Sequence, residues 1–219
     1  MPFWRPRGCV LWLDFLEPSG SVTYDKSGCG NHGTIYGAKR VRALGCYGLS
    51  FDGVDDYVEV LHSDVLSAHD ELTLEIIMKP HGTGGAWQAL FSKGQDMNEN
   101  YELLWNASNY FHTGWTFNTG RLHHDWYHPL RIGNFNHVVL TWEAPLIKLY
   151  VNGEYKETWD TEASYAVART EPLLVGNEYG KTRYFCGIIA LARIYDRPLT
   201  PREVKANYAY FFSHLKGEV

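Results

Sequence analysis

The chain lacks the features that mark several common functions. It has no run of Lys or Arg, and its 20 basic and 25 acidic side chains give a formal net charge of −5. A protein that grips a phosphate backbone needs the opposite balance, so nucleic acid is not an expected partner. No apolar stretch approaches the ~20 residues of a membrane span. The opening MPFWRPRGCVLWLDF is not a signal peptide, because its apolar run is short and Asp14 interrupts it before any small-residue cleavage site. Neither a G-x-S-x-G elbow nor a Walker loop is present. The four cysteines, Cys9, Cys29, Cys46 and Cys186, show no C-x-x-C spacing, which argues against a thiolate zinc site. Three disulfide pairings are open to them, with Cys29 and Cys46 closest in sequence, and four buried free thiols are the alternative.

What is present is apolar and aromatic. Hydrophobic residues make up 45% of 219, enough for one large domain with a substantial core and too many for a disordered chain. Eight Trp and fifteen Tyr exceed the needs of a single core, so some rings are expected at a recognition surface. Short apolar runs alternate with turn residues, the pattern of an all-β sandwich: CVLWLDF, GTIYG, GLSF, YVEV, LTLEIIMKP, WQALFSK, YELLWNA, HTGWTFN, FNHVVLTWE, LIKLYVN, EYKETW, LLVGN and CGIIALARIYD. In LIKLYVN the two-residue period puts Ile147, Leu149 and Val151 on one face and Lys148 and Tyr150 on the other. Asn152-Gly153 follows at once and predicts a type I′ hairpin, with EYKETW returning antiparallel.

One helix is expected, over about 200–215. Thr200 can cap it, Pro201 suits its first position, and Glu203 completes a capping box. Val204, Tyr208, Phe211, Phe212 and Leu215 then share a stripe that should dock on the sandwich. With no linker, repeat or low-complexity segment, residues 1–219 read as a single domain.

Four motifs occur in order: DKSGCGNHGTIYG at 25–37, GLSFDGVDDYVEV at 48–60, FNHVVLTWEAPLIKLYVNGEY at 135–155 and CGIIALARIYDRPLTPREV at 186–204. Together they resemble the laminin-G-like jelly rolls of the concanavalin A-like lectin/glucanase superfamily. The resemblance implies two curved antiparallel sheets packed face to face, with first and last strands paired. It does not imply one activity, because the fold carries lectins, hydrolases and adhesion modules alike.

Three candidate sites follow. GLSFDGVDDYVEV reads as two strands joined by a hairpin link that carries three carboxylates. Turn chemistry accounts for Asp52-Gly53, while the surplus acids suit a cation. Several members of the superfamily bind calcium, so the resemblance implies a structural calcium on Asp25, Asp52, Asp55 and Asp56, with Asp14 and Asp196 as additions. In laminarinase-type hydrolases of the superfamily the catalytic strand carries Glu-x-Asp-x-Glu. The nearest stretch here is ELTLE, where Glu71 and Glu75 have the right parity but Thr73 replaces the central acid, so catalysis is not expected. Residues 101–128 interleave rings with polar groups, which suits either a sugar or a partner subunit. Trp105, Tyr110, Trp115, His124, Asp125, Trp126 and Tyr127 are the expected ligand contacts, with Trp126 the principal anchor because RLHHDWYHP is too polar for a core strand. A zinc site among His112, His123, His124, Asp125 and His128 matches no known spacing. The expected role is therefore a non-catalytic, carbohydrate-binding or adhesion module on an extracellular or virion surface. The alternatives are an assembly or decoration subunit, including a homo-oligomer, and a glycoside hydrolase using Glu71 and Glu75.

Overall fold

The computed structural model describes residues 6–82, 87–95, 97–106, 108, 110–180 and 183–213, apart from the side chains of Cys46 and Ser213. In chain order the strands are β1 (Cys9–Leu13), β2 (Val22–Thr23), β3 (Gly33–Tyr36), β4 (Lys39–Ala43), β5 (Cys46–Asp52), β6 (Tyr57–Val60), β7 (Glu71–Pro80) and β8 (Trp87–Gln95). They continue with β9 (Asn98–Asn106), β10 (Tyr110–Phe117), β11 (Gly120–Trp126), β12 (Asn136–Glu143), β13 (Leu146–Val151), β14 (Glu154–Asp160), β15 (Leu173–Val175) and β16 (Cys186–Tyr195). One α-helix among the described residues, α1 (Pro201–Ser213), closes the fold, and a single 3-10 turn lies at Asp64–Leu66.

The strands form two antiparallel sheets. The first runs β14-β13-β12-β7-β16-β5-β4 with β1 also paired to β16, and the second runs β11-β10-β9-β8-β15-β6-β3-β2. The expected pairing of first and last strands is present, with Trp12 opposite Arg193. Between the sheets lies the main core, to which alternate residues of each strand contribute: Leu72, Leu74, Ile76 and Met78 from β7, and Tyr101, Leu103 and Trp105 from β9. The predicted hairpin is formed at Asn152 and Gly153, with φ of 53° and 79° as a type I′ turn requires. Ile147, Leu149 and Val151 face the core, and Tyr150 faces the other side.

One expectation fails instructively. GLSFDGVDDYVEV is not a hairpin, since β5 pairs with β4 and β16 in the first sheet while β6 pairs with β3 and β15 in the second. Its acidic link is the corner where the chain crosses between sheets, turning at Gly53 with φ of 82°.

Helix α1 begins as predicted. The Thr200 hydroxyl accepts the Glu203 N–H at 3.3 Å, and Glu203 accepts the Thr200 N–H at 2.8 Å. Arg197 adds a fork to the Glu203 carboxylate at 2.6 and 3.1 Å. Val204 is buried with Cys9, Val139, Tyr150, Tyr195 and Leu199 in a second cluster on the outer face of the first sheet. Leu215, the last residue of the expected stripe, lies outside the described residues. Among the described residues no helix is long and apolar enough to cross a membrane.

Candidate functional site

The outer face of the second sheet gathers the polar and aromatic groups. Register dictates which side chains share it. Gly114 of β10 lies opposite Glu102 of β9 and His123 of β11, His112 lies opposite Leu104 and Asp125, and Thr116 lies opposite Arg121. The intervening residues Phe111, Trp115 and Phe117 face the core.

The rings on this face make a half-exposed cluster. Trp87 meets Tyr110 edge-on at 4.9 Å and His112 at 5.1 Å between centroids. Tyr110 stacks on Tyr127 at 5.1 Å, and Tyr127 is 71% exposed. His112 stacks on His123 at 5.5 Å.

Beside the rings lies a chain of paired charges. Arg121 reaches Glu99 at 2.9 Å and Glu102 at 3.5 Å, and Arg183, from the segment after β15, reaches Glu178 at 2.8 Å and Glu102 at 4.0 Å. Glu99, Glu102 and Glu178 are buried, with carboxylate oxygens within 4.8 Å of one another. Two guanidiniums interleave with these three acids, which fits an ion-pair network better than a metal site. Gly114 makes room for it, because a Cβ there would collide with the Glu102 carboxylate. His112 links charges to rings, with Nδ1 2.7 Å from Asp125 Oδ1 and Nε2 3.6 Å from Glu102 Oε1. Burial alone would lower the His112 pKa, but the two carboxylates outweigh it and hold the imidazole above its ordinary value.

The seven expected ligand contacts divide between two faces. Tyr110, Asp125 and Tyr127 belong to the outer-face cluster. Trp105, Trp115 and Trp126 are fully buried in the main core, so none is a surface anchor. His124 also leaves the site. It stacks on Trp159 at 5.3 Å and shares Glu157 with His128, at 3.2 and 3.0 Å. The reason is that RLHHDWYHP contains a strand, β11, rather than only a loop. Its period sends Arg121, His123 and Asp125 outward and Leu122, His124 and Trp126 toward the core side. That alternation also separates the histidines weighed for zinc. Trp87, Glu102, Arg121 and Arg183 of this face are not among the residues the sequence singles out, and His112 and His123 enter there only as zinc candidates. Strand alternation within HTGWTFN, which puts its first residue His112 on the face opposite Trp115 and Phe117, is the signal for His112.

The carboxylates weighed for calcium separate as well. Asp25 is saturated, since Oδ1 accepts the N–H groups of Trp12 and Ser27, at 2.9 and 2.8 Å, and Oδ2 accepts the Ser27 hydroxyl and the Asn31 N–H, at 2.6 and 3.1 Å. It is the organiser of its loop. Asp52, Asp55 and Asp56 do converge at the sheet-crossing corner, with oxygens within 4.8 Å of one another. Asp56 accepts the Asp52 N–H at 2.8 Å, and its pKa is raised by burial first and by the charges of Asp52 and Asp55 next.

The two ELTLE carboxylates lie in unlike surroundings. Glu71 is exposed at the start of β7, whereas Glu75 is sealed beneath α1. Glu75 Oε1 lies 2.8 Å from both His137 Nε2 and Asn207 Nδ2, and Oε2 accepts the Tyr195 hydroxyl at 2.9 Å with Arg193 at 3.6 Å. Thr73, the residue in place of a third acid, accepts the Leu199 N–H and donates to the Arg197 carbonyl, tying down the lead-in to the helix.

Comparison with known proteins agrees with this architecture. No curated protein matches the chain by sequence. Among solved structures, the binding domain of Paraclostridial Mosquitocidal Protein 1 superposes with a TM-score of 0.77 at 12% identity, over 94% of this chain and 52% of that one. The binding domain of botulinum neurotoxin serotype G gives 0.75 at 11% identity, over 92% and 51%. The chain thus spans about half the length of these toxin binding domains. Domain 4 of AbnA, a GH43 extracellular arabinanase from Geobacillus stearothermophilus solved in complex with arabinotriose, gives 0.68 at 17% identity, over 90% and 97%. At such identities the likeness is one of fold. Residues 52–205 match the Laminin_G_3 family, and the chain therefore belongs to the concanavalin A-like lectin/glucanases superfamily.

Proposed function

We propose that this domain is a non-catalytic carbohydrate-binding module whose contact surface is the outer face of the second sheet. The observation that carries the reading is the Trp87–Tyr110–Tyr127 ring cluster set against the charge chain of Arg121, Glu102 and Arg183. A sugar ring offers an apolar face to an indole or phenol and hydroxyls to planar polar groups, and this surface supplies both within one patch. The fold shared with an arabinanase domain solved with arabinotriose supports the reading. So does the contrast between exposed Glu71 and fully buried Glu75, an unlike pair of carboxylates for the superfamily's hydrolytic strand. An extracellular setting fits a glycan ligand.

The test is a glycan array followed by calorimetry on the strongest ligand. Trp87→Ala is expected to cost at least ~2 kcal/mol of binding, about 30-fold, with the melting temperature little changed. Full affinity in that variant would remove the ring cluster from the site.

We also propose a calcium ion at the sheet-crossing corner, held by Asp52, Asp55 and Asp56 and not by Asp25. Bound there, it would offset the mutual repulsion that raises Asp56 and would clamp the crossing between sheets. Calcium at 100 times its dissociation constant adds ~2.7 kcal/mol, and each kcal/mol is worth about 2–4 °C in a domain of this size. The melting temperature is expected to rise by about 5–10 °C with calcium, and Asp55→Asn should abolish that response. If EDTA leaves the melting temperature of calcium-supplied protein unchanged, the corner carboxylates only shape the turn.

A further inference from the structure

On the opposite side of the molecule, beneath α1, lies an apolar cleft of about 380 Å³. Topology creates it. β5 and β1 pair end to end along the same edge of β16, β5 against Cys186–Ile189 and β1 against Ala192–Tyr195. Ala190 and Leu191 between them have no partner strand on that edge, and a notch results. Trp12 and Asp14 of the β1 segment and Tyr47 of β5 wall the notch, and Tyr210 and Phe211 of α1 roof it. The wall is braced from below, because the Arg193 guanidinium lies 3.9 Å from the Trp12 ring centroid and 5.0 Å from that of Phe211.

Two polar groups in this wall are poorly served by the protein. Trp12 Nε1–H is buried without a hydrogen-bond partner among the described residues, a state it shares with Trp105, Trp126 and Trp142. Among the described residues Asp14, half-buried, accepts a long bond of 3.4 Å from the Leu16 N–H, and burial raises its pKa although the charge of Lys26 acts against it. Among the described residues no other carboxylate lines the cleft. A desolvated acid among apolar walls favours a cation, and the volume suits a small molecule rather than a protein segment.

We propose that this cleft is a second ligand site, independent of the glycan face, for a small molecule with an apolar body and a protonated amine that meets Asp14. The apolar body fills the notch over Leu191 and under Phe211, against the Trp12 ring. Nothing in this proposal depends on the glycan reading, because the two surfaces belong to different sheets.

The experiment titrates octylamine, 1-octanol and octanoate separately into ¹⁵N-labelled protein and follows the Trp12 indole resonance, assigned with Trp12→Phe. Octylamine is expected to shift that resonance with the highest affinity, and octanoate is expected not to bind. Asp14→Asn should weaken octylamine by at least about tenfold, the worth of one hydrogen bond to a charged group, while sparing 1-octanol. Ala190→Phe, which fills the notch, should abolish binding of both where its indole spectrum shows a native fold, and where it does not, Asp14→Asn decides alone. A Trp12 resonance unmoved by octylamine would overturn the proposal. So would octanoate binding as tightly as octylamine, or Asp14→Asn leaving octylamine affinity intact.

Discussion

Replacing Glu75 with glutamine is expected to lower the melting temperature by roughly 10 °C at neutral pH. Removing one partner from a buried ionic network costs about 3–5 kcal/mol, and each kcal/mol is worth about 2–4 °C in a domain of this size. Glu75 is fully buried, and burial on its own would raise its pKa. The hydrogen bond and charge of His137, the charge of Arg193 and the Asn207 amide outweigh that, and the carboxyl is pushed down to about 2 from an ordinary 4.5. The sign of the pH dependence follows. A carboxyl depressed in the folded state contributes stability above its unfolded value of 4.5, and that contribution is lost as pH falls from there toward 2. The amount at stake is on the order of 3 kcal/mol. The gap between wild type and Glu75→Gln should therefore be wide at pH 7 and close toward pH 2. Because Asn207 belongs to α1, the variant should also loosen the helix, seen as faster amide exchange in 201–213 than in β12. Equal melting temperatures at pH 7 would mean that the network is not a structural anchor.

Trp126→Ala should be nearly as damaging to the fold. The side chain has no exposed surface, and its ring packs edge-on against His124 at 4.5 Å within the main core. Truncating a buried Trp leaves a cavity and costs about 3–5 kcal/mol. The informative comparison is with Trp87→Ala, expected to lose ligand and keep its melting temperature, whereas Trp126→Ala loses stability first. A Trp126→Ala protein with wild-type stability and no glycan affinity would reverse the assignment of the two rings.

What was legible in the sequence was local. LIKLYVNG declares its faces by alternation and its turn by Asn-Gly, and TPREV declares a capped helix start, because every group involved lies within a few residues. What stayed hidden depended on distant partners. GLSF and YVEV look like two arms of a hairpin, and only the competing edges of β16 and β15 send them to different sheets. Polar RLHHDWYHP reads as a loop because an edge strand with one solvated face needs few apolar residues. Glu75 alternates correctly with Leu74 and Ile76 onto an outer face, yet nothing near it in sequence tells that α1 covers that face. Trp87 opens the apolar run WQALFSK, where alternation does not mark its face, and only its pairing opposite Asn106 turns it outward.

The central claim is that the outer face of the second sheet is the binding surface, and chemical-shift mapping tests it most directly. ¹⁵N-labelled protein is titrated with the strongest array ligand, and the shifted resonances are placed on the structure. The account predicts movement of the Trp87 indole and of the amides of His112, Arg121 and Asp125, with the Trp12 indole unmoved. Shifts confined to the first sheet or to the sheet-crossing corner, with Trp87 and His112 still, would contradict it.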